Sequence, residues 1–213
     1  QTPTYTFLQA ASIIGVTDKA KQKRLAEICK QSYVAEAGYL FVIVCDMNRN
    51  ALIAAAQNIP ADGMGRAERF FPTFYDATLM TMNMVTAAES MGLGCVILGS
   101  INNDMQAVID LLELPEYTFP CLGLALGVPD QEPALKPRLP REFVFMENSY
   151  QPIDDPLNAL ADYDSIVHQY YDLRDTKKPV DTFTAQMAAR MAAVPDASPS
   201  LLEILQRQGF LKE

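Results

Sequence analysis

The run Tyr39-Leu40-Phe41-Val42-Ile43-Val44-Cys45-Asp46, entered from Gly38 and left through a polar turn, constrains the fold more than any other stretch. It is apolar at successive positions rather than at alternate ones, so neither face can be left to water. A strand of this kind belongs at the centre of a sheet covered on both sides. A second strand-like run, Tyr117 to Gly127, leads through a turn-rich loop to Ala134-Leu135-Lys136-Pro137-Arg138-Leu139-Pro140. Pro137 fixes its own φ and pushes Lys136 out of the helical region, so two cations stand on a stiff loop rather than on a helix. Such a pair suits an anion, phosphate above all. A solvated loop with two unrelated surface charges is the alternative.

Around these runs the chain alternates strand and helix signals. Ala10 to Val16, rich in small and β-branched residues, predicts a strand, and Thr17-Asp18 offers a cap to an amphipathic helix over Lys19 to Lys30. Gln31 lies just past that helix. Residues 47 to 64 hold Asn, Pro, Asp and Gly in a loose connection, with one short helical turn around Ala51 to Ala56. The longest helical pattern follows, from about Gly65 to Met91, with Ala77, Met80, Thr81, Met84, Val85, Ala88 and Met91 at three- and four-residue spacings. Pro72 starts a new helix within it or kinks it. The methionines read as core or dimer packing. Gly92-Leu93-Gly94 ends the helix, and Cys95 to Ser100 predicts a short buried strand opening onto a turn at Gly99-Ser100.

Helical character returns over Asn103 to Leu112, Leu157 to Leu173, Thr182 to Ala192 and Ser200 to Gln208, with Ser198-Pro199 supplying the cap and first-turn proline of the last. Arg141 to Met146 reads as a short strand or loop. The organisation predicted is a core over residues 1–153 followed by a helical extension over 154–213 that reaches towards a partner subunit.

With 213 residues, 49% of them hydrophobic and 20% charged, the chain is long enough for one substantial core. A net charge of −9 argues against a polyanion such as nucleic acid as the main partner. The basic clusters Lys19 to Arg24 and Lys177-Lys178 fit a helix surface and a turn. No apolar run approaches the roughly 20 residues that span a bilayer, so no membrane partner is expected. Cys29, Cys45, Cys95 and Cys121 lack Cys-x-x-Cys spacing and read as reduced, buried thiols of a cytoplasmic protein. His168 is the only histidine, which argues against a His-rich metal site or a Ser-His-Asp triad. Chemistry in such a chain leans on a cofactor. The chain opens on Gln1 rather than Met, so a preceding segment of the natural product is expected.

The candidate site consists of two turns at strand ends, Leu98-Gly99-Ser100 and Leu135-Lys136-Pro137-Arg138, with polar groups at Thr4, Gln9 and Gln31. Glycine at a strand end lets a flat ring approach the backbone, where an N–H can meet a ring nitrogen or carbonyl. Ordinary turn chemistry is the alternative for the first turn.

The order of these pieces resembles the FMN-dependent nitroreductase family, in its branch of NADPH-dependent oxygen-insensitive nitroreductases and flavin reductases. The resemblance rests on Phe7-Leu8-Gln9, Ile14 to Ala20, Ala87-Ala88-Glu89-Ser90-Met91-Gly92-Leu93-Gly94 with Leu98-Gly99, Leu114-Pro115, Gly127, Leu135 to Pro140, and Glu147-Asn148-Ser149-Tyr150-Gln151-Pro152. It implies an α+β homodimer with a mainly antiparallel sheet flanked by helices, C-terminal segments wrapping the partner, and FMN at the interface. It implies further that Lys136 and Arg138 grip the phosphate and ribityl end, and that Gln9 and Gln31, with Thr4 nearby, meet the ring or its sugar chain. The Leu98-Gly99-Ser100 backbone would face the reactive edge, Arg174 the NADPH phosphate, and Phe7 the substrate slot. The implied activity passes a hydride from NAD(P)H through FMN to a small-molecule acceptor, a nitroaromatic or a quinone. Reduction of free flavin is the alternative, and a non-catalytic flavin-binding protein a more distant one. No side chain needs to be a nucleophile. The chain departs from the family at Pro3 to Thr6, usually serines, at Ser100, commonly a second glycine, at Asn102, often basic, and at Met146, frequently His. An Arg-Ser-x-Arg opening segment has no counterpart, and trimming ahead of Gln1 is the expected reason.

Overall fold

The computed structural model describes residues 1–130, 134–174, 181–193 and 199–212, with the backbone alone described for 171–174. Strands β1 (Ala11–Val16), β2 (Tyr39–Asp46), β3 (Gly94–Leu98) and β4 (Thr118–Gly127) form one sheet in the order β1-β2-β4-β3, every neighbouring pair antiparallel. β2 is central, as its unbroken apolar run predicts. Ile43 and Cys45 point into one hydrophobic cluster with Phe119, Phe70 and Phe210, while Leu40, Val42 and Val44 point into a second with Leu25, Ile28 and Val108. Each such aliphatic side chain contributes about 1.5–3 kcal/mol when removed from water.

β4 is also interior to the sheet, yet it contains Pro120, which cannot donate to a ladder. The register between β2 and β4 shifts between Ile43 and Val44, which face Leu122 and Pro120, so Cys121 is the extra residue of a bulge. On its other edge β4 pairs with β3 only from Gly123 onward. Pro120 therefore sits where no hydrogen bond is required of it.

Helices cover both faces. α1 (Lys19–Cys29) starts at Asp18, whose carboxylate accepts from the amides of Ala20 and Lys21 at 2.7 and 3.0 Å. α2 (Asn48–Ala56) occupies much of the stretch expected to be a loose connection. Its alanine run carries the helix, and Asn48 and Asn50 are spent on tertiary contacts instead of turns, donating to the carbonyls of Glu116 and Leu8. α3 (Ala67–Ser90) runs continuously through Pro72, and the Thr73 hydroxyl donates to the Arg69 carbonyl at 2.7 Å within the same turn. It ends in a paired cap in which Gly92 N–H donates to Glu89 and Leu93 N–H to Ala88, with Gly92 at φ +77°. β3, expected to be buried, is an edge strand, and Val96 and Ile97 are exposed. An apolar run does not distinguish an edge from an interior; only pairing does. α4 (Met105–Leu112) follows a 3-10 turn over Gly99–Asp104.

The chain divides into two compact units, 1–130 with 197–213, and 131–196. In the second, the helical stretch expected over 157–173 is two helices, α5 (Pro156–Ala159) and α6 (Ala161–Arg174), and Leu160 between them is buried. α7 (Phe183–Ala192) packs on α6 through Phe183 against Tyr163, with ring centroids 5.2 Å apart, and Asp164 accepts from the Thr184 amide at 2.9 Å. Residues 141–143 form a 3-10 turn. The last helix, α8 (Leu201–Arg207), belongs to the first unit, where Ile204, Leu205 and Phe210 join the core and Phe210 meets Phe70 at 5.2 Å. Its cap is Ser200, in a reciprocal box with Glu203, rather than Ser198, which lies outside the described residues. Among the described residues no helix is long and apolar enough to cross a membrane.

Candidate functional site

The residues singled out from the sequence fall into three clusters. The first is the loop from Thr4 to Gln9. It makes a 3-10 turn over Tyr5–Phe7 and holds Thr6, Phe7 and Gln9 at φ +48°, +60° and +51°, a conformation that costs L-residues free energy unless the surroundings impose it. The surroundings do so from two helices. Asp76 of α3, almost fully buried, accepts from Tyr5 N–H at 2.6 Å and from Ala10 N–H at 2.9 Å. From α2, Arg49 donates to the Gln9 carbonyl and Asn50 to the Leu8 carbonyl. The loop walls a cavity of about 970 Å³ whose lining includes Thr4, Phe7, Gln9, Arg49 and Asp76. Phe7 is 82% exposed.

The second cluster joins Gln31 to the Leu98-Gly99-Ser100 turn. The Ser100 hydroxyl donates to Gln31 Oε1 at 2.8 Å, so two residues selected from distant parts of the sequence meet. Leu98 is buried at the end of β3 and anchors the turn, and Gly99 is exposed at its corner. A Cβ built on Gly99 would meet nothing within 4 Å. Among the described residues neither packing nor backbone conformation calls for glycine there. Beside it, Cys29 lies within hydrogen-bond reach of Ser100, and burial pushes its thiol up although the Ser100 hydroxyl pulls the other way.

The third cluster is the Lys136-Pro137-Arg138 loop, described within its own unit. The Tyr163 hydroxyl donates to the Pro137 carbonyl at 3.3 Å and the Tyr170 hydroxyl to the Ala134 carbonyl at 3.4 Å, strapping the loop to α6. Arg138 Nη1 donates to the carbonyls of Lys136 and Pro137 at 3.1 and 3.2 Å. Both cations remain exposed. Arg174 closes α6, and its side chain lies outside the described residues, as do Lys177 and Lys178. His168 is exposed on α6.

Asp76 and Arg49 are the residues that sequence reasoning missed. Asp76 left a signal: a carboxylate on the same helical stripe as Thr73, Ala77, Met80 and Thr81 has to find buried donors. Arg49 left none, because its partner is a backbone carbonyl. The neighbouring Cys121 thiol and burial push Cys45 well up, and burial raises Cys95 as well.

Models of known families match most of this chain: "Nitroreductase family" over residues 1–128 and "Nitroreductase family, C-terminal domain" over residues 136–213. The chain belongs to the nitroreductase family. This nitroreductase is 39% identical over 210 residues to the oxygen-insensitive NADPH nitroreductase of Salmonella typhimurium, covering 98% of this chain and 84% of that protein. Among solved structures, the NfrA1 nitroreductase of B. subtilis superposes with a TM-score of 0.92 at 32% identity, over 100% of this chain and 86% of that one. The NADPH:FMN oxidoreductase of Vibrio harveyi, solved with NAD+, gives 0.86 at 33% identity, over 100% and 85%. The nitroreductase fold, an antiparallel sheet flanked by helices, is thus the fold of this chain.

Proposed function

We propose that this nitroreductase is an NADPH-dependent flavoenzyme that binds FMN and delivers electrons from NADPH to a small-molecule acceptor, a nitroaromatic or a quinone. The observation that carries the reading is the open face of Gly99 with the Gln31 carboxamide held beside it by Ser100. Bound FMN supplies the hydride chemistry that no side chain here supplies. The protein's part is to bind, orient and exclude water. The backbone of Leu98, Gly99 and Ser100 takes the ring edge, and Gln9, Gln31 and Thr4 serve as its polar contacts. Lys136 and Arg138 neutralise the phosphate, from a loop whose aim is preset by Pro137 and by the two tyrosine straps. Phe7 borders the acceptor's place, and Arg174 takes the phosphate of NADPH.

The assembly proposed is a homodimer. α3 buries one face in the core, yet Phe71, Tyr75, Leu79 and Met82 stand exposed along another at helical spacing, the kind of apolar stripe a second copy covers. Four free cysteines support a reducing compartment, the cytoplasm.

The test is an absorption spectrum of the full-length protein after incubation with FMN and gel filtration. The expected result is a retained flavin band that NADPH bleaches under anaerobic conditions. A colourless protein that takes up no flavin would refute the reading. A second reading, reduction of free flavin, draws on the similarity to the Vibrio harveyi enzyme. Steady-state rates with menadione, a nitrofuran and free FMN decide between the two.

A further inference from the structure

We infer that Ser100 is a positioning residue: by donating to Gln31 Oε1 it locks the Gln31 carboxamide with its N–H₂ edge turned outward as a fixed donor. The inference rests on the reading that Gln31 serves the flavin ring, and it goes beyond that reading by assigning what sets the orientation of the amide.

Gln31 is held at both backbone groups. Its N–H donates to the Ala26 carbonyl at 3.1 Å, and its carbonyl accepts from Val34 N–H at 3.2 Å. Only the side-chain torsions remain, and rotation of the terminal amide by half a turn exchanges an acceptor edge for a donor edge. A glutamine left to itself therefore offers a ligand either chemistry and loses rotamer entropy when the ligand chooses.

Ser100 removes that choice. It sits in the 3-10 turn Gly99–Asp104, which the buried side chains of Leu98 and Ile101 fasten to the sheet and which Asn103 Nδ2 ties to the Ile28 carbonyl at 3.1 Å. The hydroxyl is thus a rigid donor, 2.8 Å from Oε1. Among the described residues nothing accepts from Gln31 Nε2. A donor with fixed aim selects an acceptor atom on the ligand, a ring carbonyl or an unprotonated ring nitrogen, over an N–H.

The experiment is a double-mutant cycle on FMN affinity, read by fluorescence titration of the flavin-stripped full-length protein. Gln31→Ala is expected to weaken FMN binding, and Ser100→Ala to weaken it by about threefold to tenfold, the worth of one hydrogen bond's ordering. In the Gln31→Ala background, Ser100→Ala should add nothing, and Ser100→Thr, which keeps the hydroxyl, should bind as the parent does. Ser100→Gly, checked alongside by thermal melting, guards against a folding defect in one variant. If Ser100→Ala and Ser100→Gly leave affinity unchanged while Gln31→Ala weakens it, or if the two effects simply add, Ser100 does not act through Gln31 and the inference is overturned. If Gln31→Ala itself leaves FMN affinity unchanged, Gln31 does not serve the flavin, and that reading falls together with the inference.

Discussion

Replacing Asp76 by Ala is the most informative perturbation of the N-terminal loop. The carboxylate holds two backbone amides, of Tyr5 and Ala10, at 2.6 and 2.9 Å, and hydrogen bonds to a charged group contribute about 1.5–3 kcal/mol each. Against them stand three non-glycine residues at positive φ, Thr6, Phe7 and Gln9, each costing about 1–2 kcal/mol. The two sums are comparable, so the loop keeps its shape only while the carboxylate is present. After its removal the bonds from Arg49 and Asn50 remain, but they reach carbonyls on one side of the loop only. The loop should therefore open locally before the sheet unfolds. Native-state hydrogen exchange reads this directly. At Ala10, exchange is expected to accelerate by about a hundredfold or more, as loss of at least 3 kcal/mol of local stabilisation requires. The amides of Val42 and Ile43 in β2 should stay within about threefold of the parent. Asp76→Asn keeps one acceptor oxygen and should lie between the two proteins. Unchanged exchange at Ala10, or equal acceleration at Ala10 and in β2, would refute the view of Asp76 as a local staple.

Four further outcomes are expected. Replacing both Lys136 and Arg138 by Ala should weaken FMN binding by about a hundredfold or more, two charge-assisted contacts being lost, with circular dichroism and melting temperature unchanged. Gly92→Ala meets no atom within 4 Å, so its cost is the positive φ alone, about 1–2 kcal/mol, and a melting curve should shift down by about 2–8 °C. Ser200→Ala should destabilise the protein by about 1 kcal/mol in the same assay through loss of the cap. The hydrogen bond from Ser200 N–H lowers the pKa of Glu203, so the box's stabilisation is present above the ordinary carboxylate range and is lost as pH falls through the depressed folded value. The gap between Glu203→Ala and parent should accordingly close in acid, and a gap that widens there would contradict the assignment.

The amino-acid sequence by itself determined where the strands and the longest helix lie, because local pattern and capping chemistry are written in consecutive residues. The apolar run of β2 required cover on both faces and has it, and Asp18 and Gly92 mark helix ends where the chain places them. What depended on partners distant in the chain was not legible. β3 reads as buried and is an edge, since burial is decided by which strand pairs beyond it. The asparagines at the start of α2 read as turn formers, and their side chains are instead committed to Glu116 and Leu8. At the site, composition and order could nominate Gln31 and Ser100 separately, but only the tertiary structure brought a hydroxyl and an amide 69 residues apart to within 2.8 Å. A hydrogen bond is short-ranged and directional, so its existence is a property of folded geometry and not of residue type.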